Sequence, residues 1–357
     1  MLRVGIIGCG GIAKGKHMPS LKKIDTVNMV AFCDVNEEKA LYAAKTYGAE
    51  GAKVYTDYQK MLKEERLDAV HVCTPNNSHA PISIAAMEAG CHVLCEKPMA
   101  KTAKEAAAML ETQKKTGKKL TIGYQNRFLP DSQYLKKACM RGDLGDIYFA
   151  KAHALRRRAV PTWGVFLDEE AQGGGPLIDI GTHALDLTLW MMDNYKVKSV
   201  TGSVFKKLSN QTDTGNIFGD WKPEEFTVED SAFGFIQMEN GATIFLESSW
   251  ALNILDFVEA KTTLCGTKAG ADMAHGVRIN KADLGKLTTI TPDLSAGGVA
   301  FYEGESELDA GLLEARGFIN AITNDTEPLV KPEQALVVTQ ILEAIYKSSK
   351  TGKTITF

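Results

Sequence analysis

The chain has 357 residues, 44% of them hydrophobic, and a formal net charge of −3 with both signs spread along its length. That length exceeds one ordinary core and predicts two domains. The near balance of charge gives no footprint for nucleic acid or an anionic membrane, and no apolar run is long enough to span a bilayer.

From residue 2 to about 123, short apolar runs at 2–7, 27–33, 69–73, 92–95 and 120–123 alternate with amphipathic stretches at 36–47, 79–89 and 102–116. The last stretch opens with a Thr-x-x-Glu capping box, Thr102 and Glu105. Such alternation predicts a doubly wound parallel sheet with right-handed crossovers, a dinucleotide-binding domain over residues 1–124. After about residue 125 the strand-like segments lengthen, at 147–155, 197–205, 231–238, 242–249 and 257–265, and helices become few. This predicts a second α/β domain, residues 125–357, built on a large, mostly antiparallel open sheet. Residues 184–192 and 332–348 read as helices, the latter opened by Pro332 and Glu333 and expected to pack back on the first domain. The stretch 206–222, rich in Asn, Thr, Gly and Asp, reads as a loop. The seven cysteines are odd in number and lack C-x-x-C spacing, which predicts reduced thiols in a cytoplasmic protein.

Gly8-Cys9-Gly10-Gly11-Ile12-Ala13 is a G-x-G-x-x-A motif placed between a strand and a helix. Gly8 permits the tight turn, Gly10 lets a pyrophosphate approach the backbone, and Ala13 allows close helix-on-sheet packing. Asp34 ends the second strand, where a carboxylate accepts bonds from the adenosine ribose hydroxyls, and it predicts NAD rather than NADP because it repels a 2′-phosphate. Thr74-Pro75-Asn76 continues the cofactor path after residues 69–73, and His79 reads as a helix-start residue. Glu96-Lys97-Pro98 ends a further strand and sets a positive charge where ligands of open parallel sheets bind.

In the second half, Gly173-Gly174-Gly175-Pro176 leads into Asp179 and His183, four residues apart and neighbours on one helical face. A carboxylate can there orient an imidazole poised to act as a general base. A metal site with Asp186 as another ligand and a helix-start network of Asp179, Thr182 and His183 are the competing readings, and too few further ligands cluster to favour the metal.

These motifs, together with Gly123-Tyr124-x-x-Arg127-Phe128, resemble the glucose-fructose oxidoreductase, inositol dehydrogenase and MocA family (Gfo/Idh/MocA) over nearly the whole chain. The resemblance implies an N-terminal Rossmann domain, catalysis by Lys97, Asp179 and His183, and a cis Lys97-Pro98 bond. It implies that His183 takes the proton of a secondary hydroxyl while its hydride passes to nicotinamide, that Lys97 steadies the oxyanion, and that Asp179 binds a neighbouring hydroxyl or orients His183. Lys97 and His183 can exchange these roles. The expected NAD contacts are Gly8, Gly10, Gly11, Ile12, Ala13, Asp34, Thr74, Pro75, Asn76, His79, Glu96, Lys97 and Gln125. No metal is expected. The family also implies a homo-oligomer, dimer or tetramer, formed through the C-terminal sheet.

Residues 155–166 carry Arg156, Arg157, Arg158 and Trp163, types that donate to hydroxyls and cover the apolar face of a sugar ring. A solvated arginine run with a packed Trp163 is the plain alternative. The segment resembles that of family members acting on glucosides, which implies oxidation of a ring C3 hydroxyl to a 3-keto sugar. The expected substrate contacts are Lys97, Arg127, Arg156, Arg158, Trp163, Asp179 and His183. Inositol dehydrogenation is the nearest alternative. A glycoside-cleaving enzyme that retains NAD, and a noncatalytic NAD-binding regulator, are the readings from other classes.

Overall fold

A computed structural model describes residues 1–211, 213–294 and 309–357. They form two compact units, Met1–Gln125 with Ser306–Leu336, and Asn126–Glu305 with Val337–Phe357.

The first unit holds six parallel strands, β1 (Leu2–Ile7), β2 (Val27–Cys33), β3 (Lys53–Tyr55), β4 (Ala69–Val72), β5 (His92–Cys95) and β6 (Leu120–Ile122), in the order β3-β2-β1-β4-β5-β6. This is the doubly wound order whose ligands bind beyond the carboxyl strand ends. Register brings those ends level: Ile7 pairs with Cys33 and Val72, and Val72 pairs with Cys95. Gly8, Asp34, Cys73 and Glu96, the residues that follow, therefore emerge along one sheet edge.

Local chemistry explains the helices between the strands. Asn36 caps Glu37–Tyr47 by accepting from Lys39 N–H. The expected capping box is formed at Ala103–Thr116, where Thr102 and Glu105 satisfy each other's backbone groups, and Gly117 ends the helix in the left-handed region at φ +65°. The helix expected at 79–89 starts earlier, as Asn76–Glu88, because Pro75 itself occupies the N-cap position. Strand β3 is not among the expected strands; three residues leave no periodicity to read.

One return to this unit has no counterpart in the expected layout. The helix Ala310–Thr323 lays Ala315, Phe318 and Ile319 into the core that also holds Val4, Ile6, Ala13 and Phe32. It makes the return expected of the C-terminal helix. That helix, Pro332–Thr351, belongs to the second unit from Val337 onward.

Among the described residues the second unit has nine strands: β7 (Ile147–Leu155), β8 (Val197–Phe205), β9 (Ser231–Met238), β10 (Thr243–Ser249), β11 (Glu259–Gly266), β12 (Gly270–Asp272), β13 (Arg278–Asp283), β14 (Lys286–Ile290) and β15 (Ile355–Thr356). Their order is β14-β13-β12-β11-β7-β10-β9-β8-β15. Among the described strands of this sheet only β7 and β10 pair in parallel, so the sheet is mostly antiparallel, as expected.

Alternation along the strands buries one face, with Ala150, Ala152 and Ala154 of β7, Ile244 and Leu246 of β10, and Ile236 and Met238 of β9. Helix Thr182–Met192 packs on that face, where Thr188 Oγ1 donates to Thr262 Oγ1 at 2.9 Å. Gly202 and Gly234 admit Ile345 of the C-terminal helix so closely that a Cβ on either would sit 2.7 or 2.6 Å from its side chain. The opposite face shows Phe149, Phe235 and Phe245 in edge contact, at 5.5 and 5.2 Å between ring centres.

Candidate active site

The glycine loop after β1 separates internal from external demands. Gly8 has φ +89°, and a Cβ there would meet the Cys73 carbonyl oxygen at 2.6 Å, so the fold itself requires glycine. At Gly10 and Gly11 an added Cβ meets nothing within 4 Å. Asp34 lies beside this loop, its Oδ2 accepting from Cys9 N–H at 2.8 Å and its Oδ1 from Asn36 N–H at 2.9 Å. Each carboxylate oxygen keeps a second acceptor site for a hydroxyl.

Lys97 is half-buried, and the Lys97-Pro98 bond is cis. Its surroundings are fixed from beneath. His79, 1% exposed, places Nδ1 2.8 Å from the Pro98 carbonyl and Nε2 2.9 Å from the Thr74 carbonyl. Burial pulls its pKa below the usual value while the two carbonyls oppose that shift. His79 thus joins the Thr74-Pro75-Asn76 turn to the Lys97-Pro98 turn from inside the unit, and its buried ring faces protein rather than a cofactor surface. Asn76 is also buried.

Glu96 is likewise interior. Its Oε1 accepts from Lys16 Nζ and from His17 Nε2, the latter at 2.8 Å, and its Oε2 accepts from Lys97 N–H at 3.1 Å. Lys16 Nζ also reaches Glu314 Oε2 at 2.9 Å. Burial opposes ionisation of Glu96, but Lys16 and His17 outweigh it and hold its pKa well below the carboxylate range. Burial pushes Glu314 up to about 7, so one carboxylate of the pair carries the charge that Lys16 balances. The histidine tautomers follow. His17 donates to Glu96 through Nε2, so its Nδ1 accepts from His71 Nδ1 at 2.9 Å. His71 then presents a bare Nε2, a buried acceptor with no hydrogen-bond partner among the described residues. Burial keeps both rings neutral, lowering the His17 and His71 pKa values. With its carboxylate committed to Lys16, His17 and the Lys97 backbone, Glu96 holds the Lys97 turn rather than standing on the cofactor surface that its motif implies.

In the second unit, Asp179 lies on the wide helical turn Leu177–Gly181, and His183 begins the helix that follows; both are half-buried. The glycine run before them is demanded by packing. A Cβ on Gly174 would lie 2.0 Å from Tyr346 Oη, and one on Gly175 would lie 2.3 Å from the Glu229 carbonyl. Glu229, 5% exposed, accepts from Gly175 N–H at 2.8 Å, from Leu177 N–H at 3.1 Å and from Tyr346 Oη at 2.8 Å. Burial pushes its pKa up to about 7 against those donors. Trp250 Nε1 donates to Asp179 Oδ2 at 3.0 Å. No motif announces Glu229 or Trp250, which come from other parts of the chain and carry no local spacing.

Two expected substrate residues are placed differently from each other. Arg127 is 0% exposed, donating from Nε to Asp186 Oδ2 at 2.9 Å and from Nη2 to Asp186 Oδ1 at 2.6 Å. This bidentate pair lies inside the unit, which removes Arg127 from the substrate surface and Asp186 from any metal set. Arg156 remains at a surface, gripping Glu259 with two bonds of 2.6 Å. Burial disfavours its charge, but Glu259 and Asp179 outweigh burial and raise its pKa. Arg158 donates to Asn253 Oδ1 at 2.5 Å, and Trp163 is 52% exposed with its ring against Phe218 and Phe166. Gln125 starts a short turn, Gln125–Phe128.

Comparison with known proteins matches residues 2–124 to an oxidoreductase family described as an NAD-binding Rossmann fold, and residues 136–357 to its C-terminal alpha/beta domain. The chain belongs to the Gfo/Idh/MocA oxidoreductase family. A family relative from Escherichia coli, a D-glucoside 3-dehydrogenase, is 38% identical over 98% of this chain and 96% of its own length. A myo-inositol 2-dehydrogenase from Thermotoga maritima is 32% identical over 54% of this chain and 55% of its own. A levoglucosan dehydrogenase solved with NADH and levoglucosan shares the fold, with TM-score 0.82 and 21% identity over 99% of this chain and 98% of that one.

As a member of this family the protein is an NAD-binding oxidoreductase. The residues of its first unit fit the cofactor. Gly10 and Gly11 leave open space that internal packing does not need, and Asp34 sits at the end of β2 with acceptor capacity for ribose hydroxyls. Among the described residues no helix is long and apolar enough to cross a membrane.

Proposed function

We propose that this enzyme oxidises the C3 hydroxyl of glucosides to a 3-keto sugar with NAD. The observation that carries the sugar reading is Asp179, whose carboxylate is held by the Trp250 indole and flanked by the Arg156 charge. A carboxylate oxygen that accepts from an indole N–H can still accept a sugar hydroxyl, and a guanidinium fork donates to sugar oxygens. The C3 position is supported by the relative named D-glucoside 3-dehydrogenase. The inositol dehydrogenase match supports a ring polyol as the second reading.

In this reading His183 takes the proton of the reacting hydroxyl, Asp179 receives its neighbour, and Lys97 donates to the oxygen as negative charge grows there. A fixed cationic donor is effective because it needs little reorganisation in the transition state. When bound, NAD supplies the acceptor for the hydride.

The test is incubation with methyl glucoside deuterated at C3, with inositols in parallel. We expect reduced cofactor that carries the deuterium, and a keto product lighter than the labelled substrate by HD. Oxidation that leaves the label in the sugar overturns the C3 assignment, and turnover of inositols alone overturns the glucoside reading. Products found only with a keto-sugar acceptor added would show that NAD stays bound between turnovers.

We further infer a homo-oligomer built through the open face of the β7–β11 sheet, where Phe149, Phe235 and Phe245 form a ring cluster and Phe205 packs on Phe233. Apolar patches of this kind mark interfaces. A monomer by light scattering refutes this. All seven cysteines are free and five are buried, which supports a cytoplasmic setting.

A further inference from the structure

A cavity of about 910 Å³ lies within the second unit. Its rim is formed by Arg156, Arg157 and Arg158 on one side, Ile217 and Phe218 on another, and Phe257 on a third. Pockets of roughly 300–1,000 Å³ hold drug-sized ligands, so this one offers more room than a single hexose ring uses. Two observations link it to Asp179. Arg156 lines the cavity and also feels the charge of Asp179. Aromatic rings run outward from Asp179 as well: Trp250 bonds the carboxylate, Phe166 lies 6.4 Å from Trp250, Trp163 lies 5.9 Å from Phe166, and Phe218 lies 4.8 Å from Trp163.

The chemistry of the walls decides what fits. Of the four cations around the cavity, Arg156 is gripped by Glu259, Lys261 is paired with Asp131 at 3.0 Å and Arg158 is bonded to Asn253. Asn253 carries no charge, so Arg157 and Arg158 keep theirs, and their cationic planes favour the electron-rich face of an aromatic ring. Apolar surface is held out to solvent in the same lining: Phe257 is 60% exposed, Phe218 44% and Ile217 71%, and Trp163, 52% exposed, packs against Phe218. Large exposed apolar side chains gathered at a concave surface are the mark of a binding site rather than of a solvated wall.

We propose that this cavity is an aglycone subsite, which accepts a flat aromatic group carried by the glucoside whose sugar ring meets Asp179. The proposal rests on the glucoside reading above. It makes aryl glucosides, rather than simple alkyl ones, the preferred substrates. Phe218 and Phe257 supply ring faces, Trp163 backs Phe218 with its edge contact, and Arg156, Arg157 and Arg158 line the cavity with flat guanidinium planes.

The experiment compares methyl and 2-naphthyl glucosides, which share the reacting sugar, in the full-length enzyme and in Phe218→Ser and Phe257→Ser. Because two ring contacts are added, we expect kcat/KM for the naphthyl compound to exceed that for the methyl compound by about tenfold, with the difference mainly in KM. Each substitution is expected to bring that ratio toward unity. Equal kcat/KM for both glucosides in the unsubstituted enzyme overturns the subsite while leaving the glucoside reading standing. A ratio that survives both substitutions also overturns it. So does a change in oligomeric state of the serine variants with the ratio preserved, which would make the patch a contact with a second copy. If no glucoside is turned over, the glucoside reading fails, and absence of saturable quenching of tryptophan fluorescence by the naphthyl compound removes the subsite as well.

Discussion

Replacing Glu229 by glutamine tests whether the turn that carries Asp179 is held by a buried acid. The carboxylate receives three donors, Gly175 N–H, Leu177 N–H and Tyr346 Oη. A glutamine has one acceptor oxygen, and its nitrogen only donates. In either orientation one backbone N–H of the turn faces an amide N–H₂. An orphaned buried donor costs about 1–3 kcal/mol. For a unit of this size each kcal/mol lowers Tm by about 2–4 °C, so the expected loss is about 2–12 °C.

The pH dependence gives the sharper reading. Burial raises Glu229 from the ordinary 4.5 to about 7. The folded state therefore holds a proton that the unfolded state has released, and stability falls as pH rises through that window. At about 1.4 kcal/mol per unit, the fall amounts to about 3 kcal/mol. The amide of the Glu229→Gln variant does not titrate. Thermal unfolding of both proteins between about pH 5 and pH 8 should show a wide gap at the acid end that closes toward the alkaline end. A gap that stays constant, or widens with pH, refutes the raised pKa and with it the claim that burial outweighs the three donors.

Lys16→Met leaves Glu96 and Glu314 in the interior without their cation, and breaking a buried pair in this way costs about 3–5 kcal/mol. Urea denaturation measures it, and a loss below about 1 kcal/mol would show that the cluster is not charged as described. Asp34→Ser removes the carboxylate that repels a 2′-phosphate, so the NAD to NADP ratio of kcat/KM should fall; an unchanged ratio removes Asp34 from cofactor selection. His183→Ala and Lys97→Ala should each lower turnover by about 10²–10⁴ with little change in Tm. If both leave hydride transfer near that of the unsubstituted enzyme, the roles given to them are wrong.

The parallel half of the fold is legible in the sequence because its signals are local. Every strand of this half but β3 is an apolar run closed by a turn, and Asn36, Thr102 with Glu105, and Gly117 mark helix ends by their own chemistry. The positions of the glycine loop, Asp34 and Lys97 are legible for the same reason, since each stands just beyond a strand. What is not legible depends on distant partners. Arg127 reads as a surface arginine in a motif, yet its partner Asp186 is 59 residues away and the two are buried together. Glu229 is 54 residues from the Gly175 it holds. Helix Ala310–Thr323 escapes the sequence reading because nothing in its composition says which core Phe318 enters.

These placements divide the named residues into two physical classes. Lys97, Asp179 and His183 are half-buried, which suits the proton and hydroxyl exchange proposed for them. The groups that aim them are buried and polar: Glu96 and His79 beneath Lys97, Glu229 and Trp250 beneath Asp179. Burying a polar group costs free energy unless every donor and acceptor is met, and once met it leaves a single geometry. Looser surface contacts would cost less and would let the reacting groups swing. Catalytic and aiming residues should therefore fail differently under substitution. Loss of Lys97 or His183 removes chemistry from a stable protein, whereas loss of Glu96 or Glu229 removes stability first and chemistry through the displaced turn. The aiming residues are the ones a motif search passes over, because their identity is fixed by an enclosed partner and not by a spacing along the chain.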